Sequence, residues 1–300
     1  MAQILLKDYS SQIKLKEEFK PSQTINNNHE VIVTDLIELL LNEPGAPKNI
    51  EIPHDYISKR NLLRALFNNR GPVSLSNDIL EKVNTLLQLE LKEKGIVDVG
   101  QLESVSAMFP NTPFSQADKF ILWQGDITKI NADAIVNAAN KQMLGCFQPL
   151  HACIDNAIHS SAGPQLREDC NIIITLQGEL EETGDAKITR AYNLPSRFIL
   201  HTVGPIVPKG TTLTQRQKDE LASCYISCLE LANEVESINS IAFCAISTGV
   251  FGFPKPEAAY IAINTVNDWL ESHHNGFTKI IFNVFSDSDR QEYINVFKPL

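Results

Sequence analysis

Apolar positions along the chain fall into two textures. From residue 31 to about residue 100 they recur at helical spacing. Val31, Leu36, Leu39 and Leu40 make one stripe, Leu62, Leu63, Leu66 and Phe67 a second, and Ile79, Val83, Leu86, Leu87 and Leu91 a third. Pro and Gly in residues 42–45 and 69–72 break the stretches. The pattern predicts a small helical region, residues 1–105, that reads as a scaffold or lid, since it clusters no catalytic residue types. From Phe120 onward, short apolar, β-rich runs at 120–123, 134–138, 186–189, 198–203, 240–246 and 279–285 alternate with helical patterns near 153–168, 215–235 and 256–271, and a last amphipathic stretch covers 290–297. Such alternation predicts an α/β domain, residues 110–300, with helices on both faces of a mostly parallel sheet and a linker between 100 and 117. A ligand is then expected beyond the carboxyl ends of the strands.

Composition narrows this. The 300 residues are 43% hydrophobic, enough to bury a real core, and carry a formal net charge of -10. An acidic chain disfavours nucleic acid as the main partner. A phosphate-bearing ligand would have to be held by local N–H groups, helix N-termini or a metal. Lys7, Lys14, Lys16 and Lys20 interrupt the N-terminus and no long apolar run follows, so neither a secretory leader nor a membrane span is expected. All six cysteines fall after residue 145, unlike a disulfide framework. That points to a reducing, cytoplasmic setting.

Four local motifs offer chemistry. Asp126 follows the first strand. Its carboxylate either caps the turn or accepts hydrogen bonds from a ligand amine or hydroxyl. Asn137 and Asn140 follow the second strand; Asn137 reads as a loop-stabilising amide, whereas Asn140, just past the strand, suits a ribose diol. Ser247, Thr248, Gly249, Val250 and Phe251 follow the 240–246 strand. Successive N–H groups there can cradle a diphosphate, although such a loop can equally be only a tight turn. Most unusual are Cys146, His151 and Cys153, two thiolates and an imidazole within eight residues. These are donors that zinc prefers, and three protein ligands with one open place is the catalytic pattern; the alternative is three unrelated loop residues. Asp155 sits two residues on, in the first turn of a helix, where it can cap the helix or stand beside a metal as a general base.

Taken together, these segments resemble the macrodomain family, specifically its mono-ADP-ribosyl-hydrolase branch. The resemblance runs over roughly residues 110 to 300. It is carried by Trp123 to Thr128, the asparagine run 137–140, Ala157-Ile158-His159 with Ser161-Ala162-Gly163, residues 184–195, His201-Thr202-Val203-Gly204-Pro205 and residues 246–252. One departure stands out: residues 146–153 replace the glycine-rich loop usual after the asparagine run. This is similar to the zinc-containing microbial subgroup, which also carries an N-terminal helical region. The resemblance implies a three-layer α/β/α sandwich with a mixed sheet, one Zn²⁺ per chain on Cys146, His151 and Cys153, and an ADP-ribose site. Asp126 would bond the adenine amine and Ile127 would offer a backbone contact. Asn140 would hold the distal ribose, and residues 247–251 would wrap the diphosphate and ribose. Cys153, Ile154 and Asp155 would complete the ligand contacts, with Asp155 and Asn140 catalytic. The expected substrate is a mono-ADP-ribosylated protein. A non-catalytic ADP-ribose reader and a hydrolase of O-acetyl-ADP-ribose are the alternatives. His159 and His201 match family positions but read as structural, and Cys170, Cys224, Cys228 and Cys244 read as core.

Overall fold

The six apolar runs form one sheet. Its strands are β1 (Phe120–Gln124), β2 (Ala134–Ala138), β3 (Ala186–Arg190), β4 (Phe198–Thr202), β5 (Ser240–Phe243) and β6 (Lys279–Val284), in the order β1-β6-β5-β2-β4-β3. The structure is a computed structural model that describes residues 3–21 and 28–299. Every neighbouring pair is parallel except β3–β4, which is antiparallel. Central strands read as continuous apolar runs because both faces are covered. The predicted 240–246 strand ends at Phe243, where the chain turns toward a left-handed residue at Ser247 (φ 64°).

On one side α8 (Gln215–Asn233), α9 (Lys255–Ser272) and α10 (Asp287–Phe297) pack side by side, and on the other α6 (Ile154–Ala162) and α7 (Pro164–Gln177) make the second helical layer. The result is the expected α/β/α sandwich around a mixed sheet. The sequence pattern near 153–168 suggests one helix, but the chain makes two. Gly163 adopts φ 103°, which ends α6, and Pro164 opens α7 with the fixed φ suited to a first helical turn. α10 starts at Asp287, three residues before the apolar pattern shows, because Ser286 caps it by accepting the Asp289 N–H.

The helical region supplies α2 (His29–Leu41), α3 (Tyr56–Asn69) and α4 (Asn77–Lys94), each capped by a side-chain acceptor, Asn28, Asp55 and Ser76. Its own core joins Ile32, Val33, Leu36, Ile37 and Leu40 to Leu63, Val83, Leu86 and Leu87. The first segment, however, packs with the sandwich. Tyr9, Ile13 and Leu15 lie in the sheet's core, α1 (Leu6–Tyr9) contacts α7, and the Tyr9 hydroxyl accepts the Ile188 N–H of edge strand β3. That bond covers part of an otherwise open sheet edge. In the same core, α5 (Val105–Met108) packs on β1 with Val105 fully buried. Among the described residues no helix is long and apolar enough to cross a membrane.

Candidate active site and metal centre

Parallel strands bring the ends of β1, β6, β5, β2 and β4 to one edge of the sheet, and the loops beyond them converge there. After β1, Asp126 caps a short 3₁₀ turn. Its Oδ1 accepts the Thr128 N–H at 3.0 Å and the Thr128 hydroxyl at 2.7 Å. The capping reading of Asp126 is therefore realised on one oxygen, while Oδ2 has no partner among the described residues. The Ile127 side chain is buried, which leaves only its main chain to face a ligand. Beside it, just past the end of β6, Phe285 is 80% exposed, with its carbonyl accepting from Gln124 Nε2. Sequence reasoning passed over Phe285, because an aromatic at the tail of an apolar run looks like part of the strand.

After β5, residues 247–251 form a tight turn. The Thr248 N–H and hydroxyl return to the Ala245 carbonyl, the Phe253 N–H to the Ser247 carbonyl, and the Val207 N–H to the Phe251 carbonyl. The N–H groups of Gly249, Val250 and Phe251 find no acceptor among the described residues, so the turn presents a run of free donors. Apart from its two chain neighbours, no atom of the described residues lies within 4 Å of where a Cβ would stand at Gly249, so the fold itself does not demand glycine there. The Ser247 hydroxyl is buried without a partner among the described residues and points against Gly204.

After β2, the two asparagines meet Asp155 from α6. Asn137 Nδ2 donates to Asp155 Oδ1 at 2.8 Å and faces His201 Nδ1 at 3.2 Å, and Asn140 Nδ2 reaches Asp155 Oδ2 at 3.4 Å and the Gly145 carbonyl at 3.1 Å. An amide nitrogen only donates, so His201 Nδ1 accepts and its Nε2–H donates to Thr189 Oγ1 at 2.9 Å. Burial holds His201 down to about 3, so the ring is neutral and structural. The Asp155 carboxyl is 5% exposed, and burial pushes it up to about 6 against the lowering pull of the Asn137 bond and Arg167. His159, one turn on, stands 3.5 Å from Asp155 Oδ1 with no hydrogen-bond partner on either nitrogen among the described residues, and burial keeps it neutral. Asn137 thus does more than brace a loop: it grips the carboxylate. The signal that hides this is distance, because Asn137 and His201 meet through strand register across a separation of 64 residues.

The Cys/His trio converges. Ligand atoms of Cys146, His151 and Cys153 all lie within 4.8 Å of one another, and Cys146 Sγ is 3.6 Å from His151 Nδ1. Their loop needs left-handed backbone at Gly145 (φ 79°) and at Leu150 (φ 57°), and a Cβ at Gly145 would stand 2.8 Å from the His159 ring. Cys153 also caps α6, its sulfur accepting the Asn156 N–H at 3.4 Å. Ile154, the first residue of α6, packs against the core. Two soft thiolates and an imidazole this close suit a zinc ion with a place left open. In contrast, Cys170, Cys224, Cys228 and Cys244 are buried free thiols in the core.

The family model described as Macro domain matches residues 136–262. Among curated relatives, a protein-ADP-ribose hydrolase of Treponema medium is 47% identical over 258 residues, covering 86% of this chain and 95% of the relative. A protein-ADP-ribose hydrolase of Staphylococcus aureus (strain MRSA252) is 42% identical over 265 residues, covering 87% and 94%. Among solved structures, a Trypanosoma brucei macrodomain in complex with ADP-ribose superposes with a TM-score of 0.58 at 30% identity, over 77% of this chain and 94% of the other. An Oceanobacillus iheyensis macrodomain with ADP gives 0.52 at 39% identity, over 59% and 88%.

Proposed function

The chain belongs to the macrodomain family, and from that premise we propose that it is a zinc-dependent protein mono-ADP-ribosyl hydrolase. Hydrolysis of an ADP-ribosyl linkage is the activity its relatives are named for, along nearly their whole length. The observation that carries the reading is Asp155, a buried carboxylate held between Asn137 and Asn140 two residues past Cys153. A protein that only retained ADP-ribose would need neither that carboxylate nor three convergent soft ligands.

The order of the loops supports an extended ligand. Asp126 follows β1, the 247–251 turn follows β5, and Asn140 follows β2, so adenine, diphosphate and distal ribose would lie in that order along the sheet edge. From β1 to β2 is three strand spacings, roughly 14 Å. Free N–H groups at 249–251 would take the phosphate oxygens, doing for an acidic protein what bulk charge cannot. Asn140 would orient the distal ribose. Asp155 would take the proton of the attacking water and stabilise the oxocarbenium-like charge at the anomeric carbon as the bond breaks. A zinc ion held by Cys146, His151 and Cys153 would supply Lewis-acid charge for an oxygen near that carbon.

The test is incubation with a mono-ADP-ribosylated protein, with free ADP-ribose measured before and after chelation. Release should fall to background in chelated protein and return on adding zinc. Undiminished release without metal removes zinc from the reaction, and retention without release makes the chain a reader. Turnover of O-acetyl-ADP-ribose exceeding that of the modified protein would move the substrate to the small molecule.

Gly249→Val tests the cradle. No part of the protein opposes a side chain there, so the melting temperature should stay near wild type. A valine would instead stand in the ligand's space, and crowding of that kind costs about 1–3 kcal/mol, roughly 5- to 150-fold in ADP-ribose affinity. Calorimetric titration showing unchanged affinity would place the diphosphate elsewhere.

A further inference from the structure

The loop that carries the soft ligands is fastened from outside its own domain. Asn68, near the end of α3, is 2% exposed. Its Oδ1 accepts the Leu150 N–H at 3.0 Å and Asn156 Nδ2 at 3.1 Å, and its Nδ2 donates to Ser160 Oγ at 3.4 Å. One turn earlier, Arg64 forks onto Asn156 Oδ1 at 3.1 and 2.6 Å, and no carboxylate pairs with it among the described residues. Asn156 passes the restraint on. Its Nδ2 also donates to the Gln148 carbonyl at 3.1 Å, and its N–H to Cys153 Sγ.

These bonds touch the loop at the residues that set the ligands. Leu150 precedes His151 and holds a left-handed conformation, which is unfavourable for a residue with a Cβ and persists only where the surroundings over-determine it. The anchored N–H of Leu150 is such a restraint. The Gln148 carbonyl lies midway between Cys146 and His151, and the bond at Cys153 Sγ acts on a ligand atom itself. A free loop with left-handed turns at residues 145 and 150 samples many shapes, and holding it in one removes the ordering cost from metal capture.

We propose that Asn68 and Arg64 are positioning residues for the metal loop, so that the N-terminal helical region sets the zinc affinity of a site in another domain. The inference rests on the zinc reading above and gives the helical region a role beyond scaffolding.

The test uses the full chain: wild type, Asn68→Ala, Asn68→Asp and Arg64→Ala. Zinc is titrated against a chromophoric chelator, and the thiolate-to-metal band is recorded with cobalt(II) in place of zinc. Asn68→Ala should weaken zinc by about 10- to 100-fold, the usual cost of losing a group that orients a metal ligand, and should alter the cobalt band. Asn68→Asp keeps an oxygen for the Leu150 N–H and should recover most of the affinity and the wild-type band. A role confined to folding would lower the melting temperature and leave both readouts unchanged. Folded Asn68→Ala with wild-type zinc affinity and spectrum would overturn the proposal. If that variant does not fold, Arg64→Ala decides alone, and wild-type affinity there overturns it equally. Wild-type protein that takes no zinc sinks the metal reading itself, and the brace with it.

Discussion

Asp155→Asn should cut ADP-ribose release by about 10²- to 10⁴-fold, the range that a positioned acid or base contributes, while ADP-ribose binding stays within a few-fold of wild type. The reasoning starts from the partners. Asn137 Nδ2 donates to Asp155 Oδ1 and Asn140 Nδ2 approaches Oδ2, so the group is held from two sides and has almost no solvent to share its charge. An asparagine there keeps the shape and can turn its oxygen toward Asn137, which preserves that bond. It cannot take a proton from water and carries no charge to set against the developing cation. Asp155→Ala is the poorer probe, because it leaves one buried N–H of Asn137 without its acceptor, at a cost of about 1–3 kcal/mol. The measurement is initial rate of release from a mono-ADP-ribosylated protein, with affinity by calorimetry. A folded Asp155→Asn protein that turns over at the wild-type rate removes the carboxylate from the chemistry.

Arg167→Met should lower the midpoint of thermal unfolding by roughly 6–12 °C, from a loss of about 3 kcal/mol. Arg167 lies on α7, buried at the seam of the two cores. Its Nε donates to the Leu144 carbonyl at 2.6 Å, and its Nη1 to the carbonyls of Phe67 at 2.9 Å, Asn68 at 3.2 Å and Arg70. The Phe147 ring stacks on the guanidinium at 4.4 Å. Carbonyls in the last turn of a helix lack partners within it, and here one guanidinium serves three that end α3. Methionine fills the volume and donates nothing, which leaves those oxygens buried and unpaired. Arg167→Lys should recover only part of the loss, since one ammonium cannot span the positions that a planar fork reaches. A midpoint for Arg167→Met within about 2 °C of wild type would show that water replaces the side chain.

How much of this was legible in the sequence depended on how local the signal was. Strands read clearly because β2, β4 and β6 are covered on both faces and show as unbroken apolar runs. The soft-ligand trio read clearly because its chemistry is compressed into residues 146–153, and Asp155 because it follows at once. What escaped was non-local. Nothing in residues 60–70 advertises that Arg64 and Asn68 act on a loop more than 80 residues later, since an arginine and an asparagine on a helix look like a solvated face. Asn137 looked like a loop amide because its partners, Asp155 and His201, arrive by packing and register. Proximity in sequence groups the first segment with the helices, whereas Tyr9 belongs to the sheet by hydrogen bonding. Gly163-Pro164 did carry a stop and a start, and the apolar spacing across it masked them.

The placement of β1 beside β6 governs the birth of the protein as well as its shape. Phe120 pairs with Ile280 and Gln124 with Val284, so the first strand of the sheet has only the last one as neighbour. Loop closure over such a distance is slow. During synthesis the β2–β4–β3 half can assemble while β1 still waits for a partner not yet translated. The edge that carries Asp126 can therefore pair only after the nascent chain has extended through residue 284. A ribosome stalled before that point would display β1 as an unpaired apolar strand, open to chaperones and to wrong partners.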